Sequence, residues 1–404
     1  MNGTKPRKIL LVTSHFYPEN FKANDMAFEL AARGYDVTVL TPIPDYPQGK
    51  YYKGYGIFKR RSETKKGVKI IRTFVIPRRK GTAGWLTLNY ISHTVFSSLR
   101  AIWLGISRKY DAVLIHETSP VMVAIPGIIV SMLQRIPAYF WALDLWPESI
   151  SAASNIHNRH IINLFGKITR WLYKHSHKIL ISSRGFRKSI NRMGDFDSKI
   201  EFFPNWVDAS FEHPEWIELP EFPAGFNVVF AGNIGDAQDM PHLLEAAKKL
   251  DGKGVNLILV GDGRKREWVS DFVKENNLKN VFLPGRFPLK AMPGIFAKAD
   301  VLLLSLKDNP IFALTVPAKL QAYMSSGKPI VAMINGEGAD VIKDADCGWS
   351  VPAENSDSLA ELLLKISSES PDVLMAKGKN GLEYCNANYD FNKCINNLER
   401  IIKE

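Results

Sequence analysis

The chain has 404 residues, of which 46% are hydrophobic and 23% charged, a composition typical of a soluble globular protein rather than a membrane-spanning one. This length predicts two or three domains, each with its own core. The formal net charge of +11 is unevenly distributed, because residues 1–208 hold 31 Lys and Arg against 14 Asp and Glu. We therefore expect the first half to meet an anionic partner, such as lipid headgroups, a diphosphate or nucleic acid.

Targeting and membrane-spanning segments are not expected. The early apolar run 9–12 is too short for a signal peptide, and the three irregularly spaced cysteines favour a reducing cytoplasm without a metal site. Two longer stretches, 81–99 and 118–134, lack Asp, Glu, Lys and Arg, but they contain polar residues or prolines. Neither is expected to cross a bilayer, which requires about 20 predominantly apolar residues.

The first half alternates short apolar runs with amphipathic segments, as in a doubly wound parallel sheet. Strands are predicted at 8–13, 36–41, 68–76, 112–116, 138–143, 178–182 and 200–203. Helices are predicted at 25–33, 121–133 and 159–175. A long loop rich in Pro, Tyr and Gly, 42–66, is expected between the second and third strands, and loops of this length are usually functional or mobile.

A further helix is predicted from residue 84 to about residue 105, with apolar residues on more than one face. The basic triplet Arg78, Arg79 and Lys80 precedes it, and Trp85 lies at its start. This combination is typical of an interfacial helix that binds anionic lipid. A core helix packed on the sheet is an equally good interpretation, and both hold if one end is buried and the other exposed.

The alternation restarts after a linker predicted at 205–223, with strands at 227–231, 256–260, 281–283, 301–306 and 330–333. Glycine-bearing turns follow three of these strands, at 232–235, 261–263 and 285–288. Ligands of open parallel sheets lie beyond the carboxyl ends of the strands, so these turns are expected to meet at one crevice. Glycine there permits close backbone approach to a diphosphate. Three such turns favour a nucleotide site.

The segment after the fourth of these strands predicts a helix whose start faces the same crevice. Thr315 is expected to cap it, Pro317 to lie in its first turn and Gly327 to end it. Unpaired N–H groups at this end would favour phosphate, and Lys319 would add a positive charge. No G-x-G-x-x-G follows the first strand and no G-x-x-x-x-G-K-[ST] is present, so NAD and P-loop sites are disfavoured.

Several motifs together resemble the GT-B glycosyltransferases of glycosyltransferase family 4, and in particular the WbuB-like transferases of bacterial surface-polysaccharide assembly, which are linked to N-acetyl-L-fucosamine transfer. The motifs are Y-P-E-N at 17–20, P-D-Y-P at 44–47, L-D-L-W-P-E-S at 143–149, P-N-W-V-D at 204–208, G-N-I-G-D-A-Q at 232–238 and V-P-A-K-L-Q-A-Y at 316–323. The resemblance covers essentially the whole chain.

The resemblance implies two Rossmann-like doubly wound domains facing a cleft. These are an acceptor-binding domain, 1–207, and a donor-binding domain, 208–385, with a C-terminal helix at about 386–404 that returns to the first domain. It also implies a nucleotide-sugar donor, UDP- or GDP-linked, retention of the sugar's configuration, no cofactor and no essential metal. The candidate donor-binding residues are Gly232, Asn233, Ile234, Gly235, Gln238, Gly261, Gly263, Arg264, Arg286, Phe287, Thr315, Val316, Pro317, Lys319 and Gln321.

This chain departs from the family at charged positions. The family's two glutamates, the second of which holds the ribose, correspond to Ala313 and Gln321, and Gln321 still offers hydrogen bonds. The Arg and Lys that clamp the diphosphate correspond to Asn233 and Gln238. We therefore expect Lys319 to replace them, with Arg264 and Arg286 as alternatives.

Polar residues after the strands of the first half are candidates for the acceptor site and for acid–base chemistry. They are His15, Glu19, His116, Glu117, Asp144 and Glu148. If configuration is retained, the donor phosphate itself can take the acceptor's proton, and these groups then orient hydroxyls. The expected acceptor is a polyprenyl-diphosphate-linked saccharide at the cytoplasmic face of the membrane, with Arg78, Arg79, Lys80 and Trp85 on the lipid.

Two alternatives remain open. A GT-B sugar-nucleotide epimerase would act on the donor alone and would need neither acceptor nor membrane. A nucleic-acid binder would explain the charge, but no recognised nucleic-acid module is present and the basic residues are scattered, so no nucleic-acid partner is expected.

Overall fold

The structure is a computed structural model that describes residues 6–153, 158–207 and 218–404. The chain divides into two compact units, one running to Phe203 and taking in Ile395–Glu404, the other comprising Pro204–Cys394. Residues 208–217 of the predicted linker, with the predicted start of the second domain at Asp208, lie outside the described residues.

The first unit contains an eight-stranded sheet with the order β3-β4-β2-β1-β5-β6-β7-β8. Its strands are β1 (Lys8–Thr13), β2 (Asp36–Pro42), β3 (Ser62–Lys65), β4 (Val68–Thr73), β5 (Ala112–Glu117), β6 (Ala138–Ala142), β7 (Lys178–Ile181) and β8 (Ile200–Phe202). All neighbours except β3 and β4 are parallel, which confirms the doubly wound prediction. The central strands β1, β5 and β6 are largely apolar and buried, as expected where helices cover both faces of a sheet.

The prediction of a plain loop over 42–66 is wrong at its end, because β3 pairs antiparallel with β4. Only Lys66 and Gly67 separate the two strands, and both have positive φ, at 45° and 78°. This is the backbone of a two-residue hairpin turn, whose mirror-image geometry matches the twist of the strands. The hairpin adds a short antiparallel edge to the sheet.

In the described part of the chain up to Phe203, helices alternate with these strands. They are α1 (Lys22–Ala32), α2 (Ala83–Ser107), α3 (Ile125–Gln134), α4 (Glu148–Ala153), α5 (Arg159–His175) and α6 (Phe186–Arg192). In α1 the buried residues Ala23, Met26, Ala27 and Leu30 recur at helical spacing, so one face packs on the sheet. The predicted helix over 121–133 is a 3₁₀ turn at Val121–Ala124 that continues into α3.

The second unit contains a six-stranded parallel sheet with the order β11-β10-β9-β12-β13-β14. Its strands are β9 (Phe226–Asn233), β10 (Val255–Asp262), β11 (Val281–Gly285), β12 (Val301–Ser305), β13 (Ile330–Met333) and β14 (Gly348–Val351), the last of which the sequence pattern did not predict. The helices are α7 (Met240–Leu250), α8 (Arg266–Glu275), α9 (Met292–Ala297), α10 (Ala318–Ser325), α11 (Glu337–Asp344), α12 (Ser356–Ile366) and α13 (Pro371–Asn388). Strand order changes direction beside β9, the first strand of this half.

The start of α10 differs from its prediction. Thr315 does not cap this helix, because its hydroxyl donates to Phe312 O at 3.0 Å and thereby closes the preceding 3₁₀ turn. Pro317 is the N-cap residue instead, and its side chain offers no acceptor for a capping hydrogen bond. At the other end, Gly327 has a φ of 68°, which confirms that a left-handed glycine follows the helix.

The predicted C-terminal helix is interrupted. α13 ends at Asn388, and a last helix, α14 (Phe391–Lys403), begins two residues later. Tyr389 causes the break, since its ring is buried among the apolar residues of the second unit and its carbonyl accepts the N–H of Val207 at 3.2 Å. The final residues belong to the first unit, where Tyr139 Oη donates to Ile402 O at 3.2 Å.

Candidate functional site

A pocket of about 430 Å³ lies in the second unit at the carboxyl ends of β9, β10 and β11. Three predicted turns contribute to it, and its lining residues are Gly232, Asn233, Val260, Gly261, Asp262, Arg286, Phe287, Leu289 and Met292. Since β9 lies where the strand order changes direction, this is the position at which open α/β sheets bind ligands. The structure therefore brings Gly232, Asn233, Gly261, Arg286 and Phe287 together, as the sequence predicted.

The glycines of these turns pack against one another. A Cβ atom on Gly261 would lie 1.8 Å from Gly232 O, and one on Gly263 would lie 2.3 Å from Ile234 O. Both glycines also have positive φ, at 151° and 156°. Glycine is thus needed at these positions first because the neighbouring turns pack closely. The sequence analysis had explained the same glycines by close approach of the backbone to a diphosphate.

The side chain of Lys319, in the first turn of α10, extends to the glycine turn at Gly232. Its amine lies 3.7 Å from the ring centroid of Phe230 and has no hydrogen-bond partner among the residues that the structure describes. A Cβ atom on Gly232 would lie 2.4 Å from Lys319 Cε, so a side chain at position 232 would displace the end of this lysine. Burial lowers the pKa of Lys319 to about 7. The pocket therefore borders on a cationic group that lacks a counter-ion.

The remaining donor candidates lie elsewhere in the second unit. Thr315 and Pro317 line a separate hollow beside Asn309 and Asn335. Val316 packs against the apolar core. The structure thus separates the loop before α10 from the pocket that the glycine turns form.

Two further candidates are buried and one is fully at the surface. Ile234 is a core residue, and the buried Gln321 side chain donates from Nε2 to Asn205 O at 3.0 Å. Neither side chain faces the pocket, whereas Arg264 is exposed. Gly235 and Gln238 lie beside Asn233. The Asn233 Nδ2 donates to Gln238 Oε1 at 3.2 Å, and a Cβ atom on Gly235 would lie 2.4 Å from that nitrogen.

In the first unit, the loop after β1 forms a buried polar network around Glu19. One carboxylate oxygen, Oε1, accepts the N–H groups of Asp45 and Tyr46, both at 2.8 Å. The other, Oε2, bonds to His15 Nδ1 at 2.8 Å. His15 Nε2 in turn lies 3.0 Å from an NH2 nitrogen of Arg78, whose backbone N–H donates to Asp45 Oδ2 at 2.8 Å. His15 and Glu19 from one predicted group and Arg78 from another thus belong to a single network, which also contains Asp45.

This network fixes the proton on His15. An arginine side chain can only donate, so His15 Nε2 accepts from Arg78 and the ring proton resides on Nδ1, which donates to Glu19. The ring also stacks on Phe21 with centroids 4.5 Å apart. The lone pair that a general base would use is therefore occupied. His15 is a neutral, oriented group in this arrangement.

Arg78 was expected to bind lipid, but the structure turns it inward. Its side chain is 14% exposed and lies over the rings of Tyr46 and Tyr90, at 5.3 Å and 5.5 Å from their centroids. Asn89 Nδ2 completes the cluster by donating to Asp45 Oδ2 at 3.0 Å. Burial raises the pKa of Asp45, and the neighbouring Arg78 opposes that rise.

His116, at the end of β5, is held by β1. Its Nδ1 lies 3.0 Å from Thr13 Oγ1, and the Thr13 hydroxyl donates to His15 O at 3.1 Å. Because that hydroxyl has one hydrogen, His116 Nδ1 donates and Nε2 keeps its lone pair. Burial lowers the pKa of His116 to about 3, so the ring is neutral and packs edge-on against Trp141. It can accept a hydrogen bond at physiological pH.

Glu117 and Asp144 meet at the ends of β5 and β6. Glu117 Oε2 accepts the N–H groups of Leu143 and Asp144, both at 3.2 Å, while its Oε1 has no hydrogen-bond partner among the described residues. Burial, and then the charge of Asp144, raises the pKa of Glu117 well above its usual range. Asp144 accepts from Ser119 and Ser149, and Glu148 lies apart from them, accepting from Ser189 Oγ at 2.5 Å. The buried Glu117 side chain thus holds the loop after β6.

The region that was expected to face lipid has an exposed apolar face. The exposed large apolar side chains of α2 are Leu88, Ile91, Val95, Phe96, Leu99, Ile102, Trp103 and Ile106, and Met132 and Leu133 of the neighbouring α3 are exposed too. We call these ten residues the apolar face. Arg79, also exposed, stacks on Trp85 at 3.8 Å from the ring centroid, and Lys80 is exposed beside it. No helix in the described part of the chain is long and apolar enough to span a membrane.

Sequence analysis missed several residues of these sites. Asp45 and Asn89 belong to the Glu19 network, and Asp262, Leu289 and Met292 line the pocket. The P-D-Y-P motif contained Asp45, which was a usable signal, whereas nothing local singled out Asn89. Within residues 6–153, 158–207 and 218–404, no group of three or more His, Cys, Asp or Glu is placed to hold a metal ion.

Comparisons with known families give matches on both units. Residues 22–206 match the family model described as glycosyl transferase 4-like domain, and residues 225–369 match the one described as glycosyl transferases group 1. The chain is 24% identical over 273 residues to the probable glycosyltransferase WbjE of Pseudomonas aeruginosa, covering 64% of this chain and 67% of that protein. It is 22% identical over 344 residues to the putative colanic acid biosynthesis glycosyl transferase WcaI of Escherichia coli, covering 79% and 81%.

Solved structures share the architecture over nearly the full length. Sucrose-phosphate synthase from Thermosynechococcus elongatus superposes with a TM-score of 0.74 at 15% identity, covering 98% of each chain. HepE of Anabaena, solved with UDP and glucose, has a TM-score of 0.65 at 13% identity, covering 98% of this chain and 100% of that one. At such identities the likeness establishes the fold, two Rossmann-like domains, and nothing finer.

Proposed function

Because the chain is a glycosyltransferase with the GT-B fold, we propose that it transfers a sugar from a UDP-linked donor to a polyprenyl-diphosphate-linked saccharide in bacterial surface-polysaccharide assembly. The named relatives support this pathway, since WcaI is described as a colanic acid enzyme, and HepE was solved with UDP. Following the resemblance to WbuB-like transferases, the proposed sugar is an N-acetylated deoxy-sugar such as N-acetyl-L-fucosamine. Transfer is proposed to retain configuration and to need no metal.

The donor proposal rests on one observation: the pocket lies next to the buried amine of Lys319. Arg286 and Phe287 lie on one side of the pocket and the glycine turn at Gly232 on the other, with Lys319 beneath it. A nucleotide needs a flat, partly apolar wall for its base and a positive group for its diphosphate. The pocket offers both within one unit.

The proposed chemistry follows from the charge of the leaving group. As the bond between the anomeric carbon and the phosphate oxygen breaks, the acceptor oxygen bonds to that carbon and its proton passes to the departing phosphate oxygen. The growing charge on the nucleoside diphosphate is balanced by Lys319 and by backbone N–H groups of the turn at Gly232. No protein base is required, which agrees with the occupied lone pair of His15.

The proposed acceptor side rests on the apolar face. Neither α2 nor α3 contains an Asp or Glu, while Arg79 and Lys80 precede α2 and Arg108 and Lys109 follow it. An exposed apolar stripe between basic flanks is the pattern of a helix that lies in the headgroup region of an anionic bilayer. We propose that this face holds the enzyme on the inner leaflet, where a polyprenyl-linked acceptor resides.

The donor proposal is tested by thermal shift with UDP, GDP and a panel of their sugars, because a compound that binds only the folded state raises the melting temperature. We expect UDP compounds to stabilise the wild type and to lose this effect in Lys319→Met. Lys253→Met is the matched control, since Lys253 is exposed in a turn away from the pocket. No shift with any nucleotide would refute the donor site.

The membrane proposal is tested by co-sedimentation with phosphatidylglycerol vesicles. Leu99, Ile102 and Ile106 are 60%, 40% and 74% exposed. Fully burying such a side chain contributes about 1.5–3 kcal/mol, so replacing all three by serine removes roughly 3–4 kcal/mol, or more than 100-fold in partitioning. The matched control is Val373→Ser with Met375→Ser on α13, which are 37% and 63% exposed. Equal binding by both variants would refute the apolar face as the lipid contact.

The epimerase alternative gains no support from the comparisons, because both family models describe transferases. It makes a distinct prediction: incubation of the donor alone would yield an isomerised nucleotide sugar without any acceptor. Under the proposed function, acceptor is required for any turnover beyond slow hydrolysis.

A further inference from the structure

Lys319 is unusual because, within the described part of the chain, no acidic side chain pairs with it. Its amine is buried between Phe230 and Gly232 and makes no hydrogen bond to any described residue. The ring of Phe230 favours the ammonium form through its negative face. In such a place a lysine can be held either as a neutral amine or as an ammonium ion.

The elements packed on this amine supply no carboxylate. β9 contains no ionisable residue, and on α10 the hydroxyl of Tyr323 is engaged with Ala231, which donates to it at 2.9 Å. The charged side chains of the adjoining pocket, Asp262 and Arg286, do not contribute to its pKa, which burial alone lowers to about 7. The one charge that can complete this site is therefore brought by a ligand.

We propose that donor binding is coupled to the uptake of a proton by Lys319: the free enzyme holds the amine partly uncharged beneath Gly232, and the arriving diphosphate stabilises the ammonium form. This inference rests on the proposed function, since it takes a nucleoside diphosphate as the ligand. The proton comes from solvent and binds the amine lone pair, and no bond of the donor changes in this step.

The coupling sets the pH dependence of donor affinity. An anion in contact with the amine raises the pKa of Lys319 in the complex, so the complex binds more protons than the free enzyme does. Affinity therefore falls as pH rises above 7. With a free-enzyme pKa of about 7 and a fully protonated complex, the apparent Kd at pH 9 is roughly 50-fold weaker than at pH 7.

Proton uptake is measured directly by isothermal titration calorimetry of UDP, and in parallel GDP, into the full-length enzyme at pH 8. At this pH the terminal phosphate of the free nucleotide, with a pKa of about 6, is already ionised. Titrations in phosphate, HEPES and Tris buffers, which differ in ionisation enthalpy, give the number of protons bound. We expect about 0.9 proton for the wild type and for the control Lys253→Met.

Two substitutions separate the charge from its titration. Lys319→Met should weaken nucleotide binding at least tenfold and abolish the buffer dependence of the heat. Lys319→Arg keeps a cation that cannot lose its proton, so it should bind nucleotide without proton uptake and with a flat pH profile between pH 7 and 9. Circular dichroism of both variants checks that they are folded.

The outcomes are distinct. If the wild type binds a nucleotide with a heat that does not depend on the buffer, the inference is overturned while the proposed function stands. If uptake persists in folded Lys319→Met, another group is responsible and the assignment to Lys319 is overturned. If neither nucleotide binds the wild type, the donor site of the proposed function fails and this inference fails with it.

Discussion

We expect Glu19→Gln to lower the stability of the first unit strongly, although the substitution only replaces one carboxylate oxygen by an NH2 group. The Glu19 carboxylate accepts three hydrogen bonds, from two backbone N–H groups and from His15 Nδ1. In Glu19→Gln the amide oxygen can keep the two backbone bonds, but the NH2 group then faces the N–H of His15. The ring cannot escape by moving its proton to Nε2, because a donor of Arg78 lies there.

The cost follows from these contacts. One buried donor is left unsatisfied, at about 1–3 kcal/mol, and two charge-assisted bonds become neutral ones, at roughly 0.5–1 kcal/mol each. We expect a total near 3 kcal/mol. For a unit of about 200 residues each kcal/mol lowers the melting temperature by about 2–4 °C, so the transition of the first unit should fall by roughly 6–12 °C.

Differential scanning calorimetry of the full chain provides the assay, with Glu29→Gln as the matched control. Glu29 is 29% exposed and pairs with Arg33 on the surface, so its loss should cost less than about 1 kcal/mol. A double-mutant cycle tests the proton assignment itself. In Arg78→Met the ring is free to carry its proton on Nε2 and to accept from glutamine, so Glu19→Gln should cost at least 1 kcal/mol less there. Additive costs would refute the assigned tautomer.

Three further predictions concern other parts of the molecule. Gly232→Ala should weaken UDP binding at least tenfold by displacing the lysine beneath it, whereas Gly252→Ala, which has positive φ but open space, should cost stability alone; equal Kd values in the two variants would contradict this. Because burial raises the pKa of Glu117, its contribution to stability is present below the usual value of 4.5 and is lost as pH rises through the raised pKa. Urea unfolding of Glu117→Gln should therefore show a weaker loss of stability from pH 5 to 8 than the wild type, and parallel curves would be evidence against the assignment. Arg79→Gln should lower binding to anionic vesicles about fivefold at low salt and have no effect on neutral vesicles, which co-sedimentation at two salt concentrations measures.

Much of the fold was predictable because its signals are local. The interiors of strands such as β1 and β12 are uninterrupted apolar runs, and α5 begins and ends where its amphipathic pattern does. The errors arose where tertiary contacts decide. Thr315 had the chemistry of a helix cap but closes a preceding turn, and Tyr389 breaks the last helix because its ring is drawn into the core.

The candidate sites divide in the same way. Glycine turns after strands were predictable from spacing alone, and they do meet at one pocket. The inward position of Arg78 was not predictable, because a basic triplet in a sequence is usually solvent-exposed. Only the fold brings Asp45 and His15 into contact with Arg78. Likewise, nothing near Lys319 in the chain reveals that it lies against Phe230.

The mutual contact of the glycine turns has a consequence for how this enzyme could acquire a new donor. Gly261 rests on the carbonyl of Gly232, and Gly263 on that of Ile234, so neither of these two turns can shift by itself. A change of nucleotide preference is therefore open to side chains of the pocket such as Asn233 and Phe287, while the backbone of the two turns must be inherited as a pair. Chimeras that exchange one of these two turns between relatives should fail where those exchanging both succeed.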